Sequence, residues 1–136
     1  MTTTRFFMCR RCGNVIVKVV DSGVTPVCCG EDMVELRPNL TDTAVEKHLP
    51  VVECLDDCNF KVKVGSTPHP MTKEHHIAFI YVETEHGGQL FNLDPEGTAE
   101  AEFCTCKDKP VAVYEYCNIH GLWKTELCKK PKCSCR

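Results

Sequence analysis

Four stretches of the chain carry the pattern of β-strands. Residues 15–20 are almost entirely β-branched, with Lys18 as the polar break, and residues 61–64 alternate lysine with valine. Residues 77–82 and 111–116 are rich in β-branched and aromatic side chains, as expected for buried strands. Glycine, proline, asparagine and aspartate separate these runs, and no window of helical length repeats its apolar residues at helical spacing. The pattern predicts an all-β protein, a sandwich or barrel of short antiparallel strands.

Composition narrows the class of protein further. The chain has 136 residues, of which 43% are apolar and 26% charged, which is typical of one globular domain or two small ones. No apolar run approaches the ~18 residues of a membrane span. The net charge of −3 does not indicate the excess of basic residues that nucleic-acid binding requires. The N-terminus leads straight into a cysteine motif rather than a secretory signal. We therefore expect a cytoplasmic protein whose 12 cysteines and 6 histidines bind metal.

The first cluster of cysteines lies near the N-terminus. Cys9 and Cys12 form a C-x-x-C motif, and Cys28 and Cys29 are adjacent. Adjacent Cα atoms are about 3.8 Å apart, which is shorter than the roughly 4.4–6.8 Å of most disulfides. A tetrahedral four-thiolate metal site fits better than a bond between these two, and disulfides joining the two pairs remain the alternative. Softness of the ligands allows zinc or iron. Such a site is closed, so it stabilises structure or passes electrons.

A second set of candidate ligands is spread along the chain. His48 stands alone, His69 and His75 flank a loop, and Cys117 and His120 have a spacing that chelates one ion from a single turn. Each piece by itself is a weak signal. Together they offer five nitrogen and sulfur ligands, more than a tetrahedral zinc accepts. Five such ligands with a sixth position open favour iron.

Five motifs, in order along residues 5–126, resemble the desulfoferrodoxin family, the two-centre form of superoxide reductase. They are Phe7-x-Cys9-x-x-Cys12-Gly-Asn14, Cys28-Cys29-Gly30-x-x-Met33, Glu46-Lys47-His48-x-Pro50-Val51-Val52, Val62-x-Val64-Gly65-x-x-x-His69-Pro70-Met71-x-x-Glu74-His75-x-Ile77, and Tyr114-x-Tyr116-Cys117-Asn118-x-His120-Gly121-Leu122-Trp123.

Composition divides the chain into three segments, and the resemblance assigns the first two. Residues 1–37 form a desulforedoxin-like, rubredoxin-type domain, which holds an iron at the sulfurs of Cys9, Cys12, Cys28 and Cys29. Residues 38–127 form an immunoglobulin-like antiparallel β-sandwich, which is the catalytic domain. Residues 128–136 are a tail rich in cysteine and lysine, which the resemblance does not cover.

The resemblance also implies the reaction and its residues. A second, catalytic iron takes four equatorial imidazoles and one axial thiolate, from His48, His69, His75, His120 and Cys117. The ferrous centre reduces superoxide to hydrogen peroxide, in defence against oxidative stress. Lys47 lies over the open face and attracts the anion, and Glu46 closes onto the ferric ion. The expected partners are rubredoxin or a similar electron donor and a second copy of the chain, with no nucleic acid and no membrane.

Some residues fall outside this assignment. His76 and His86 match no ligand position and are interpreted as ordinary strand and turn residues. Seven cysteines have no assigned role, namely Cys54, Cys58, Cys104, Cys106, Cys128, Cys133 and Cys135. We expect these to be free thiols, and a third metal site or a redox disulfide is the alternative.

Two other functions are weighed against this one. A rubredoxin-like electron-transfer protein accounts for the first four cysteines and leaves the histidines unexplained. A zinc-stabilised binding module does not need five ligands and an open position.

Overall fold

The structure is a computed structural model that describes residues 4–40, 45–105 and 107–127, without the side chain of Glu46. The chain divides into two compact units, Met1–Arg37 and Pro38–Arg136. No helix in the described ranges is long and apolar enough to cross a membrane.

The first unit is built from very short strands. They are β1 (Phe6–Met8), β2 (Val15–Val17), β3 (Val27–Cys28), β4 (Glu31–Asp32) and β5 (Val34–Leu36). Strand β1 pairs with β2 on one side and β5 on the other, and β3 pairs with β4, all antiparallel. Phe7 and Met33 pack with Cys9 and Cys28, so the small core of this unit lies directly against its cysteines.

The second unit begins with one helical turn and continues as strands. Its elements are α1 (Val45–His48), β6 (Pro50–Cys54), β7 (Asn59–Val64), β8 (Ile77–Thr84), β9 (Gly88–Asn92), β10 (Glu100–Cys104), β11 (Pro110–Cys117) and β12 (Gly121–Glu126). They form two antiparallel sheets, one in the order β10-β7-β6 and the other in the order β12-β11-β8-β9. Alternating side chains of the two sheets meet in one core that includes Phe60, Val62, Ile80, Phe103 and Val113. The predicted all-β class is confirmed.

The strand predictions hold best where strands are long. Residues 61–64, 77–82 and 111–116 all lie within strands β7, β8 and β11. The run at 15–20 is strand only as far as Val17, because Val19 and Val20 are exposed and have left the ladder of β1. The sequence did not predict the helical turn α1, because four residues are too few to repeat an apolar position at helical spacing.

The cysteines outside the metal motifs were expected to be free thiols. Neither Cys58 nor Cys104 is in a disulfide, as expected, but the expectation is wrong for Cys54, which is disulfide-bonded. The expectation for Cys106, Cys128, Cys133 and Cys135 falls on residues that lie outside the described ranges. Cys54 closes strand β6 at the hairpin to β7, where Leu55 N–H donates to the carbonyl of Asn59 at 2.9 Å.

Candidate metal centres

In the first unit, two turns bring four sulfur atoms together. The ligand atoms of Cys9, Cys12, Cys28 and Cys29 all lie within 4.8 Å of one another, and all four thiols are free. Two of the sulfur–sulfur distances are 3.6 Å, between Cys12 and Cys28, and 4.0 Å, between Cys28 and Cys29. Tetrahedral bonds of about 2.3 Å to a metal imply a separation of about 3.8 Å. The arrangement therefore fits a metal, and the alternative of disulfides joining the two pairs is wrong.

The backbone of the adjacent pair is unusual. Side chains of consecutive extended residues point to opposite sides, so two adjacent sulfurs reach one ion only if the chain turns between them. Cys29 makes that turn with φ of 53°, in the left-handed region that residues with a Cβ rarely adopt. Gly30 follows with φ of 77°, where the lack of a Cβ removes the strain.

The four thiols also need a positive charge among them. The backbone N–H of Cys12 donates to Cys9 Sγ at 3.4 Å and lowers the pKa of that thiol to about 6. The thiols of Cys12 and Cys9 raise the pKa of Cys29 to about 12, and they raise the pKa of Cys28 as well. Thiolates packed this closely repel one another, so one ionises readily at the expense of the others. A bound cation is what lets all four become thiolates.

In the second unit, the second candidate site draws on separate segments. His48 ends α1, His69 and His75 lie in the loop between β7 and β8, and Cys117 and His120 lie at the hairpin from β11 to β12. This hairpin pairs Cys117 with Gly121, whose φ is 83°, so a three-residue loop turns Cys117 and His120 toward each other. The structure thus brings together all five side chains that the sequence proposed, with their ligand atoms within 4.8 Å of one another.

The four imidazole rings form a closed square. Ring centroids are 4.8 Å apart for His48 and His69, and 4.7 Å apart for His69 and His75. The circuit closes through His120, which lies 5.0 Å from His75 and 4.7 Å from His48. Neighbouring rings meet edge to face, at angles of 68° to 82°. Cys117 Sγ lies 3.7 Å from His120 Nδ1 and is the fifth ligand atom of the group.

Distances inside the square fit a metal ion. His48 Nε2 is 3.1 Å from His120 Nδ1 and 3.2 Å from His69 Nε2. Two imidazole nitrogens at right angles, each about 2.1 Å from a metal, are about 3.0 Å apart. His75 Nε2 is buried and has no hydrogen-bond partner in the described part of the chain. A buried nitrogen without a partner is costly unless an ion binds it, so this atom too is accounted for by a metal.

The surroundings favour the neutral form of His69 and His75 and hold the rings in place. Burial lowers the pKa of His69 to about 4, and burial also lowers the pKa of His75. His69 Nδ1 donates to the carbonyl of Pro70 at 2.7 Å, which leaves Nε2 free to bind. Trp123 stacks on His48 at 4.9 Å and donates from Nε1 to the carbonyl of His120 at 3.2 Å. Neutral rings already held in place are ready to ligate without first losing a proton.

The thiol of Cys117 is balanced between two effects. Burial raises its pKa, whereas the backbone N–H groups of His120 and Ile119 favour the thiolate. The first of these donors lies 3.3 Å from the sulfur. Binding to a metal cation tips the balance to the thiolate.

The remaining candidates have these positions. Lys47 is exposed, and its charge contributes to the lowered pKa of His75, so it lies beside the square. The side chain of Glu46 lies outside the described part of the chain. His76 and His86 do not join the cluster, and their Nδ1 atoms face the Thr72 carbonyl and Asp108 instead. Sequence reasoning assigned no role to Trp123 or Asn118, although both stand in the same motif as two ligands.

Comparison with known proteins agrees with this geometry. The family model "Desulfoferrodoxin" matches residues 40–126, and the model of the desulfoferrodoxin N-terminal domain matches residues 2–36. The chain belongs to the desulfoferrodoxin family. Desulfoferrodoxin of Nitratidesulfovibrio vulgaris is 42% identical over 88% of this chain and 94% of that protein. A desulfoferrodoxin homolog of Methanothermobacter thermautotrophicus is 43% identical over 89% of this chain and 97% of its own length.

A solved structure supports the same grouping. The superoxide reductase of Treponema pallidum superposes with a TM-score of 0.77 at 35% identity. The match covers 91% of this chain and 98% of that one, so it extends over both units of this desulfoferrodoxin.

Proposed function

We infer that this desulfoferrodoxin is a superoxide reductase with two iron centres. The observation that carries the inference is the closed square of four neutral imidazoles with one thiolate, since five ligands leave an octahedral ion one position for a small molecule. Among the described residues, no further histidine, cysteine, aspartate or glutamate joins this group. Bound ferrous iron supplies one electron, so that superoxide and two protons become hydrogen peroxide.

The protein's own residues select the molecule that enters and leave water access to supply its protons. Four neutral imidazoles and one thiolate leave a ferrous ion with a net positive charge, which favours an anion. Lys47 adds a second positive charge beside the square and attracts superoxide from solution. Because the lysine is exposed, water reaches this side and delivers the protons. Cys117 would bind the iron as a thiolate, and its electron density would favour giving an electron over taking one.

The role of Glu46 is proposed from the sequence. It precedes Lys47 and His48, and a carboxylate there is able to close onto the ferric ion once peroxide has left. Closure would shield the oxidised centre from other anions until an electron arrives.

The four-thiolate site is proposed to hold the second iron. Its four ligands leave no open position, so it takes no part in binding superoxide. A rubredoxin-like electron-transfer function accounts for this site only and does not explain the five-ligand group.

The experiment that tests the function measures how much product forms per molecule of superoxide. Reduced protein is mixed with a known amount of superoxide, and iron oxidation, peroxide and dioxygen are measured together. A reductase oxidises one iron and forms one peroxide per superoxide, without dioxygen. A dismutase forms one peroxide per two superoxides and releases dioxygen, and that outcome would contradict the proposal.

The partners and the setting are proposed as well. Rubredoxin or a similar small donor re-reduces the iron, as the family resemblance implies. A homodimer is supported by exposed valines in the first unit, among them Val19 and Val20 at 92% and 85% exposure, since apolar surface of this kind marks association sites. Light scattering of the wild type and Val20→Lys checks the dimer. A monomer in the wild type would exclude it.

A cytoplasmic location and a role in superoxide detoxification complete the proposal. The free cysteines in the described ranges support a reducing compartment, while the disulfide at Cys54 weighs on the other side. Cell fractionation and the superoxide sensitivity of a deletion strain are the tests. Recovery of the protein outside the cytoplasm, or unchanged sensitivity, would contradict these two assignments.

A further inference from the structure

One side chain that has no role in the function above joins two of the ligand segments. Asn118 Oδ1 accepts from the backbone N–H of His76 at 2.8 Å, and its Nδ2 donates to the carbonyl of Glu74 at 3.0 Å. The backbone N–H of Asn118 also donates to the carbonyl of His76 at 3.1 Å. These three hydrogen bonds reach the residues on both sides of His75. Asn118 itself is bonded covalently to Cys117, so a single residue couples two ligands.

The other bonds of the His75 loop do not fix it against Cys117. Thr72 and His75 bond to each other, from Thr72 N–H to the His75 carbonyl at 2.9 Å and from His75 N–H to Thr72 Oγ1 at 3.1 Å. Both contacts are internal to the loop. They give the loop its shape and leave its position relative to β11 open.

The strand ladder fixes only the end of the loop, where Ile77 pairs with Cys117. Strands β8 and β11 pair in regular register as far as Phe79 and Tyr116, and the register shifts before Ile77 meets Cys117. The irregularity falls where the ladder reaches the ligands. Met71 of the loop packs against the core that includes Cys117, and the hydrogen bonds of Asn118 add polar contacts to the two residues that flank His75.

We propose that Asn118 is a positioning residue of the five-ligand centre, which holds His75 at the distance from Cys117 that one ion requires. This rests on the proposed function for the presence of iron, and it concerns iron retention rather than superoxide chemistry. Outer hydrogen-bond partners of metal ligands typically change metal affinity about 10–100-fold. We expect Asn118→Ala, which removes both side-chain bonds, to release iron from this centre about tenfold faster.

Two further variants sharpen the test. Asn118→Asp keeps the acceptor for the His76 N–H and loses the donor to Glu74, so it should fall between the wild type and the alanine variant. Asn39 is the matched control. Its side chain accepts from Lys124 N–H at 2.9 Å and donates to the Lys124 carbonyl at 3.2 Å, but it joins no two ligand segments. Asn39→Ala also places an alanine at a left-handed φ of 62°, where alanine is strained, so this variant loses stability without touching the centre.

The measurement is the rate at which a chelator removes iron, with each centre followed by its own absorption, alongside the melting temperature. The proposal predicts faster loss at the five-ligand centre in Asn118→Ala, an unchanged rate at the four-thiolate centre, and wild-type release in Asn39→Ala. It is overturned if Asn118→Ala releases iron at the wild-type rate, or if Asn39→Ala releases it equally fast. If the alanine variant does not fold, Asn118→Asp is compared with Asn39→Asp by the same criterion. Failure of the proposed function would show instead as a wild type that retains iron and does not react with superoxide.

Discussion

The two candidate metal sites both use cysteine ligands, but they differ in how many coordination positions they fill and in their net charge. The first takes four thiols from two turns that are close in sequence, and every coordination position of a tetrahedral ion is used. The second takes one thiol and four imidazoles from α1, a long loop and a hairpin, and it leaves one octahedral position unused. The two sites also differ in net charge. Four thiolates outweigh the positive charge of the metal ion, whereas one thiolate with four neutral imidazole rings does not. The closed site is suited to stabilising structure or passing an electron, and the open site to giving an electron to an anion.

The largest effect is expected from Cys117→Ser. Serine is a poor ligand for iron and removes the only thiolate of the open site, so the loss should exceed the roughly 10–100-fold cost of an outer partner. Iron binding at this centre and its thiolate-to-iron absorption should both disappear, as measured by metal analysis and visible spectroscopy. Cys58→Ser, which removes a free thiol of the same unit, is the control. Persistence of the absorption band in Cys117→Ser would mean that another cysteine is the ligand.

The second prediction separates the sites by removing the closed one. Cys12→Ser should abolish or alter the four-thiolate absorption and leave the second-order rate with superoxide close to that of the wild type. His75→Ala should do the reverse. Stopped-flow mixing with superoxide and the two absorption bands report both effects. A Cys12→Ser protein that keeps its histidine-bound iron and no longer reacts would show that the sites are not independent.

Lys47→Ala tests the role of charge beside the five-ligand site, and its effect should be smaller than those of the substitutions above. The loss of one exposed charge near the reacting position should slow association about tenfold, within the range of electrostatic steering. Lys47→Arg should recover most of the rate because the requirement is charge, and Lys107→Ala, at an exposed position between β10 and β11, should change nothing. The measurement is the bimolecular rate against ionic strength. A wild-type rate and salt slope in Lys47→Ala would show that the charge of the iron is enough.

Glu46→Ala should act on the oxidised state only. Superoxide meets the ferrous centre, so its association rate should stay unchanged. The ferric spectrum should change, and added azide should bind more tightly, because the carboxylate no longer competes. Azide titrations of the ferric wild type and Glu46→Gln, which keeps the size and loses the charge, provide the comparison. Equal azide affinity in all three proteins would remove Glu46 from this role.

The smallest effect concerns the first unit and its charges. Hydrogen bonds from Lys18 and then Arg5 hold the pKa of Asp21 below its usual range, and Arg5 does the same for the pKa of Glu35. Both carboxyls are more acidic in the folded state, so their contribution is present above about pH 4 and is lost as the pH falls. Arg5→Met should therefore lower the urea midpoint of the four-thiolate absorption at pH 6, and below about pH 4 this midpoint should fall less in the variant than in the wild type. Arg10→Met is the exposed control, and an Arg5→Met protein with the wild-type pH dependence would refute the account.

Sequence alone was informative where residue type and spacing dictate chemistry. The pairs at Cys9 and Cys28, the spacing of Cys117 and His120, and the isolated His48 all pointed to the ligands that the structure brings together. The long strands β8 and β11 were found because their runs of apolar residues exceed the length of a turn. These features are local in sequence, or they belong to motifs that residue types mark.

The features that the sequence left out depend on contacts between distant segments. The two- and three-residue strands of the first unit carry too few positions to show alternation. The disulfide at Cys54 needs a partner that no spacing rule selects. Asn118 is an ordinary polar residue until the fold sets it between the His75 loop and β11.

The distances along the chain between ligands have a consequence for the unfolded protein. His48 and His120 are 72 positions apart, whereas Cys9 and Cys29 are separated by only 20. An ion that joins such residues acts as a cross-link and reduces the loop entropy of the denatured chain. The longer loop increases that contribution by roughly 1 kcal/mol over the shorter one, because loop-closure entropy grows only with the logarithm of length. A metal ion held by the five ligands would therefore also cross-link most of the second unit, from His48 to His120.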